Sequence, residues 1–255
     1  NMLLEEMEEV DFKREIGSIN KEKNKPLVIF IGGIHGNEPM GVYALKSVFK
    51  EIIEQQIKID GTLIALTGNL EALKQKKRFL QCDLNRIWST ENLNRLPQYN
   101  DLNVENKEMS ELWDILKGQI DVHKSEKICI FDLHTTSSDS VPFITINDTL
   151  SNRRISSQIP VPTIFGIEEF LSGPLLSYFN ELGYNALGFE AGQHDSHDSF
   201  LNHKAFIWLS LAVKGLLPKI HPRVIEGKKR LYEVSDEPGK FFEIIYRENI
   251  EKNDD

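Results

Sequence analysis

Leu27-Val28-Ile29-Phe30-Ile31-Gly32-Gly33-Ile34-His35-Gly36-Asn37-Glu38 decides the fold of this chain. Five consecutive apolar residues, three β-branched and one aromatic, predict a strand buried on both faces. The glycines that follow allow a tight turn, and a helical pattern then runs from about Glu38 to Gln55. His35 and Glu38 therefore sit at the C-terminal edge of a buried strand. An imidazole nitrogen and a carboxylate aimed at one point suit Zn²⁺. Spacing alone proves little, because 7 histidines and 39 acidic residues let His-x-x-Glu recur by chance, as at His123-x-x-Glu126. That second instance lies in the charged stretch 121–127, without a strand or a glycine turn, and reads as solvated surface.

Catalytic zinc usually takes three protein ligands and keeps one position for water or substrate. Ile128-Cys129-Ile130-Phe131-Asp132-Leu133-His134 supplies a third candidate, again as an apolar run ending at a histidine. Two strands ending in ligands point to one edge of one sheet, where sites form in open α/β folds. For His134 alone, a histidine bonded to a neighbouring strand is the competing reading. Between the two strands, Asn85 and Arg86 form an amide–guanidinium pair able to grip a carboxylate. Glu190 ends a later apolar strand and is flanked by glycines at 188 and 192; a lone carboxylate there is costly unless something uses it.

Gly32–Glu38, Asp83-Leu84-Asn85-Arg86, Asp132-Leu133-His134-Thr135-Thr136 and Gly188-Phe189-Glu190-Ala191-Gly192, in that order, resemble the succinylglutamate desuccinylase/aspartoacylase family, a branch of the zinc-carboxypeptidase-like hydrolases. The likeness covers roughly residues 27 to 217. It implies zinc ligands His35, Glu38 and His134, substrate contacts at Asn85 and Arg86, and Glu190 as general base. Two positions depart from the pattern: Glu71 and Asn180 stand where aspartoacylases carry arginines, the second of them for the acyl carboxylate. Both argue against N-acetylaspartate as the substrate.

Strands expected at 27–31, 61–66, 127–133, 142–147, 161–165 and 185–190 alternate with helices over 38–55, 102–116 and 199–216. That order predicts an α/β fold: a mostly parallel mixed sheet with helices on both faces, zinc-carboxypeptidase-like by resemblance. The acidic opening, Leu3 to Glu9, reads as a frayed helix. After Pro218 the pattern breaks at Pro222 and Gly227, and the runs 229–234 and 240–246 look β-like. We therefore expect a catalytic domain over 1–218 and a short β-rich C-terminal segment over 219–255, vestigial or truncated relative to the β-rich C-terminal domain that the resemblance implies.

A net charge of −9 argues against nucleic acid or an anionic membrane as partner. Two cysteines give no disulfide framework, and no signal peptide or apolar run of membrane length is visible, which favours the cytoplasm. Homo-oligomerisation is left open. The cluster His194-Asp195-Ser196-His197-Asp198 tempts as a ligand set, but its short oxygen-bearing side chains suit a helix cap, with a place on the pocket rim as the sharper alternative. Lys74, Lys76, Lys77 and Arg78 form a basic run, by default a solvated face. Its sharper reading is a positive field for an anionic substrate, with Arg78 best placed to reach it.

The expected function is zinc-dependent hydrolysis, one Zn²⁺ per chain, of the amide bond of a small anionic N-acyl amino acid. Carboxypeptidase-like action on small peptides and a non-catalytic metal-binding relative are the alternatives.

Overall fold

The structure is a computed structural model that describes residues 11–19, 24–96, 103–123 and 128–246; the Leu3–Glu9 segment lies outside them. Strands β1 (Glu15–Ile19), β2 (Leu27–Gly32), β3 (Thr62–Thr67), β4 (Ile128–Thr136), β5 (Phe143–Ile146), β6 (Thr163–Phe165), β7 (Asn185–Gln193) and β8 (Phe241–Glu243) form one sheet. Their order is β1-β3-β2-β4-β7-β5-β6-β8. The centre, β3-β2-β4-β7, is parallel, while β1 and β5 pair antiparallel with β3 and β7. Every residue of β2 is buried, as its unbroken apolar run requires of a strand covered on both faces.

The covering helices are α1 (Met40–Glu54), α2 (Leu70–Lys74), α3 (Thr90–Arg95), α4 (Val104–His123), α5 (Leu150–Ser156), α6 (Leu175–Glu181), α7 (His197–Val213) and α8 (Pro222–Glu233). Met40, Ala44, Leu45, Val48 and Phe49 of α1 join Phe206 and Leu209 of α7 in one core. Met109, Leu112 and Leu116 of α4 and Phe179 of α6 line the other. The two cores share the sheet between them, since alternate residues of β2, Val28 and Phe30 against Leu27 and Ile29, fall into opposite ones. No helix of the described residues is long and apolar enough to cross a membrane.

Four expectations change. The first helix begins at Met40, so Glu38 belongs to the turn before it, free of the helical ladder. Strand β1 was not anticipated; it is short, carries a register irregularity and adds an antiparallel edge. The run 229–234 is not β-like: all but Val234 lies in α8, with His221 capping it and Pro222 in its first turn, and Val224, Gly227 and Leu231 buried. His123 is not solvated surface. It is buried at the end of α4, with Nδ1 on the Gln119 carbonyl and Nε2 3.0 Å from Thr62 Oγ1.

Candidate metal centre and cleft

At the C-terminal edge of β2 the chain leaves the sheet through Gly33, whose φ of 72° is the left-handed conformation that glycine tolerates. Gly36 then passes so close to the end of α2 that a Cβ would lie 2.1 Å from the Ala72 carbonyl carbon. Its amide donates to the Arg78 carbonyl at 3.1 Å. The glycines thus do two things: they aim His35 and Glu38 inward, and they bring Arg78 beside them.

His35, Glu38 and His134 converge, each offering a ligand atom, with all of these within 4.8 Å of one another and all three residues buried. His35 Nδ1 lies 2.9 Å from Glu38 Oε1, and His134 Nδ1 lies 3.0 Å from Glu38 Oε2. The opposite ring nitrogens face carboxylates: His35 Nε2 is 3.1 Å from Asp83 Oδ1, and His134 Nε2 is 2.6 Å from Asp132 Oδ2. A histidine whose second nitrogen is held by a carboxylate is the usual outer arrangement of a metal ligand, fixing tautomer and ring orientation. The donor set therefore fits a divalent ion such as zinc: two imidazoles, one carboxylate, no thiolate, and no fourth protein ligand in the group.

The electrostatics follow from these contacts. Burial alone would raise Glu38, but hydrogen bonds from His134 and His35 hold it well below the usual carboxylate range. Burial would favour neutral His134, yet the Asp132 carboxylate, and then Glu38, outweigh it and hold the imidazole well above its ordinary value. The Thr135 amide also donates to Glu38 Oε2, at 3.0 Å. Asp83 is opposed by burial but kept low by His35, by the Asn85 amide and by Arg78.

Glu190 reaches the same place by sheet register. It is the neighbour of His134 across the parallel β4–β7 pair, so both side chains leave the same face. Its Oε2 is buried and has no hydrogen-bond partner, and burial pushes the carboxyl up to about 7. It lines, with the three metal candidates, a cleft of about 200 Å³.

Arg78, Asn85 and Arg86 line that cleft as well. Arg78 bonds Asp83 Oδ2 at 3.1 Å and lies 3.6 Å from Glu38 Oε1; Lys74, by contrast, is exposed and paired with Glu71. The segment that carries them is held by Glu105, a fully buried residue of α4 whose carboxylate accepts from the amides of Leu80, Gln81 and Cys82. Asn85 spends its side-chain oxygen on the Leu175 amide at the start of α6, so part of its amide is structural. Arg86 donates to its neighbour's carbonyl, Asn85 O, at 2.7 Å. In the His194 cluster, Ser196 caps α7, while His194 Nδ1 sits 2.6 Å from Thr135 Oγ1 and so braces the strand end that carries His134.

Asp132 was not singled out from the sequence. Its signal was present: in a strand, residues i and i+2 share a face, so an acid two before a histidine ligand is placed to meet it. Thr145, Asn147 and Ser177, which also line the cleft, carried no such signal.

The sheet and this site define a zinc-carboxypeptidase-like α/β fold. The chain belongs to the succinylglutamate desuccinylase/aspartoacylase family, whose catalytic domain matches residues 24–200. A probable aspartoacylase of Acaryochloris marina is 27% identical over 133 residues, 52% of this chain and 42% of its own length. A succinylglutamate desuccinylase of Photorhabdus laumondii is 33% identical over 75 residues, 29% of this chain and 23% of its own. The matches thus span less than half the length of these relatives. Among solved structures, a succinylglutamate desuccinylase of Vibrio parahaemolyticus superposes with a TM-score of 0.64 at 17% identity, over 91% of this chain and 75% of that one. Murine aminoacylase 3 superposes at 0.56 and 19% identity, over 76% and 64%.

Proposed function

We propose that the protein is a zinc-dependent amidohydrolase that cleaves N-acyl amino acids, with His35, Glu38 and His134 as metal ligands and Glu190 as general base. The observation that carries this reading is the partnerless Oε2 of Glu190 beside a buried His–Glu–His group. Burial of an unpaired carboxylate costs stability, and a pure binding protein has no use for it. Zinc held at this group supplies a Lewis acid for the amide carbonyl and makes water acidic enough to lose a proton near neutral pH.

Glu190 accepts the water proton as the water oxygen adds to the carbonyl carbon, then passes it to the amide nitrogen as the C–N bond breaks. Its raised pKa suits both halves of that task. Arg86, with Asn85, holds the carboxylate of the substrate by its planar guanidinium and fixes the amide against the metal group. Arg78 adds positive charge at the mouth of the cleft. The products are a carboxylic acid and a free amino acid.

The test is turnover of a panel of N-acyl amino acids and dipeptides by protein loaded with zinc and by protein stripped with a chelator. Cleavage of N-acyl amino acids that is lost on stripping and restored by zinc supports the proposal. Preference for dipeptides would favour the carboxypeptidase-like reading, and zinc binding without turnover the non-catalytic one.

A further inference from the structure

Beyond the end of β7, one side chain of the 194–198 cluster reaches back to both segments that carry the metal candidates. Strand β7 runs in register with β4 up to the pair His134 and Glu190, and the next pair is Thr136 with Gln193, so β7 uses three residues where β4 uses two. The extra residue is a β-bulge, a device that re-aims side chains beside sites, and Gly192 absorbs it with a φ of 107°. The bulge carries the chain across the end of β4. There the His194 amide donates to the Thr136 carbonyl at 2.9 Å, and Nδ1 of its ring lies 2.6 Å from Thr135 Oγ1. The other ring nitrogen, Nε2, lies 3.4 Å from Asn37 Nδ2.

Asn37 sits between His35 and Glu38 in the turn after β2. Thr135 follows His134 and gives its amide to Glu38 Oε2 at 3.0 Å. A neutral imidazole has one donor and one acceptor nitrogen, which suits this pair of partners: Nδ1–H donates to the Thr135 hydroxyl while Nε2 accepts from the Asn37 amide. The turn after β2, the end of β4 and the end of β7 thus meet on one ring. Thr135 lines the cleft, whereas His194 is not among the described residues that do, so the ring acts through its partners.

Resting on the proposed zinc site, we infer that His194 is a positioning residue: it clasps the turn of His35 and Glu38 to the strand end of His134, so that the three ligands are in place before the ion arrives. Ordering the ligands in advance removes a cost that binding would otherwise carry. Groups that orient metal ligands from outside contribute about 10- to 100-fold to metal affinity.

Zinc affinity of the full chain, measured by competition with a chelator of known strength, tests the clasp. His194→Ala should weaken it about 10-fold or more. Thr135→Val, which removes only the hydroxyl at nearly constant shape, should do the same, and the double variant should be little worse than either, because both break one contact. His194→Asn keeps a polar atom near the Nδ1 position and should fall between His194→Ala and wild type. The visible bands of Co²⁺-loaded protein should shift in His194→Ala and move back in His194→Asn, which a loss of fold stability alone would not produce. Wild-type affinity in His194→Ala, or a loss there that Thr135→Val does not share, overturns the inference; if His194→Ala does not fold, Thr135→Val decides alone. Weakened zinc in the variants of a protein that cleaves no N-acyl amino acid leaves the clasp standing and removes the hydrolase reading. Unchanged zinc in variants of an active hydrolase does the reverse, and a wild type that takes up no zinc overturns both.

Discussion

Glu38, which is buried, and Glu190, which is half-buried with its Oε2 buried, lie near the same pair of histidines, yet they are driven in opposite directions. Glu38 accepts from both rings and a backbone amide and is held ionised; Glu190 has an oxygen without a partner and is pushed up to about 7. That contrast supports the proposed roles, Glu38 as metal ligand and Glu190 as proton carrier. Glu190→Gln should therefore lower kcat on the order of 10²-fold or more while zinc content stays at the wild-type level, checked by steady-state kinetics beside elemental analysis. Loss of zinc in this variant would instead make Glu190 a ligand. The same burial predicts a pH effect on stability. A carboxyl whose folded pKa is about 7, against an ordinary value of 4.5, binds more protons folded than unfolded between those limits. Its contribution to stability is thus full below about 4.5 and is lost as pH rises to about 7. In metal-free protein, Glu190→Gln should gain Tm relative to wild type between pH 5 and pH 8, and a constant difference across that range would contradict the assignment.

At the scale of elements, the site depends on how the connection between α2 and α4 is held. Glu105 anchors three consecutive amides of that connection and also accepts from Asn69 Nδ2 at 3.2 Å. Glu105→Gln would turn an NH₂ group toward backbone N–H donors. It should cost about 2 kcal/mol or more in stability by denaturant titration, and lower kcat/KM about 10-fold through misplacement of Asp83 and Arg86. Unchanged kinetics would show that the connection holds itself. The strands that lead to His35, His134 and Glu190 were readable because the mainly apolar runs before those residues leave few alternatives. The Glu105 anchor was unreadable, since a helical glutamate looks like solvated surface until the loop it caps is known. Strand β1 was missed because five residues with Gly17 among them carry little periodicity. Helix α8 was misread through the short window 229–234, where Leu231 and Tyr232 suggest a strand. Its true signals, a cap and Pro222 at the start and buried positions spaced three and four apart, lie further upstream.

For the whole molecule, α8 and β8 bear on the expected division at Pro218. Gly227 of α8 packs so tightly on α7 that a Cβ would lie 2.8 Å from the Ala205 carbonyl oxygen, Leu231 is fully buried in the core around α7, and β8 extends the sheet beyond β6. Leu231→Ala should accordingly cost about 2–4 kcal/mol and broaden no transition, since the core it leaves is the same core that carries α1 and β4. Two separable unfolding transitions by calorimetry would support an autonomous C-terminal segment instead. The proposed zinc would join the ends of β2 and β4, and metal stoichiometry tests that proposal most directly. Elemental analysis of the purified protein should give about one zinc per chain, falling sharply in His134→Ala, as expected if His134 of β4 shares the ion with His35 and Glu38 of the turn that follows β2. Wild-type protein that takes up no zinc from a stoichiometric supply, or His134→Ala that retains it in full, would contradict the account.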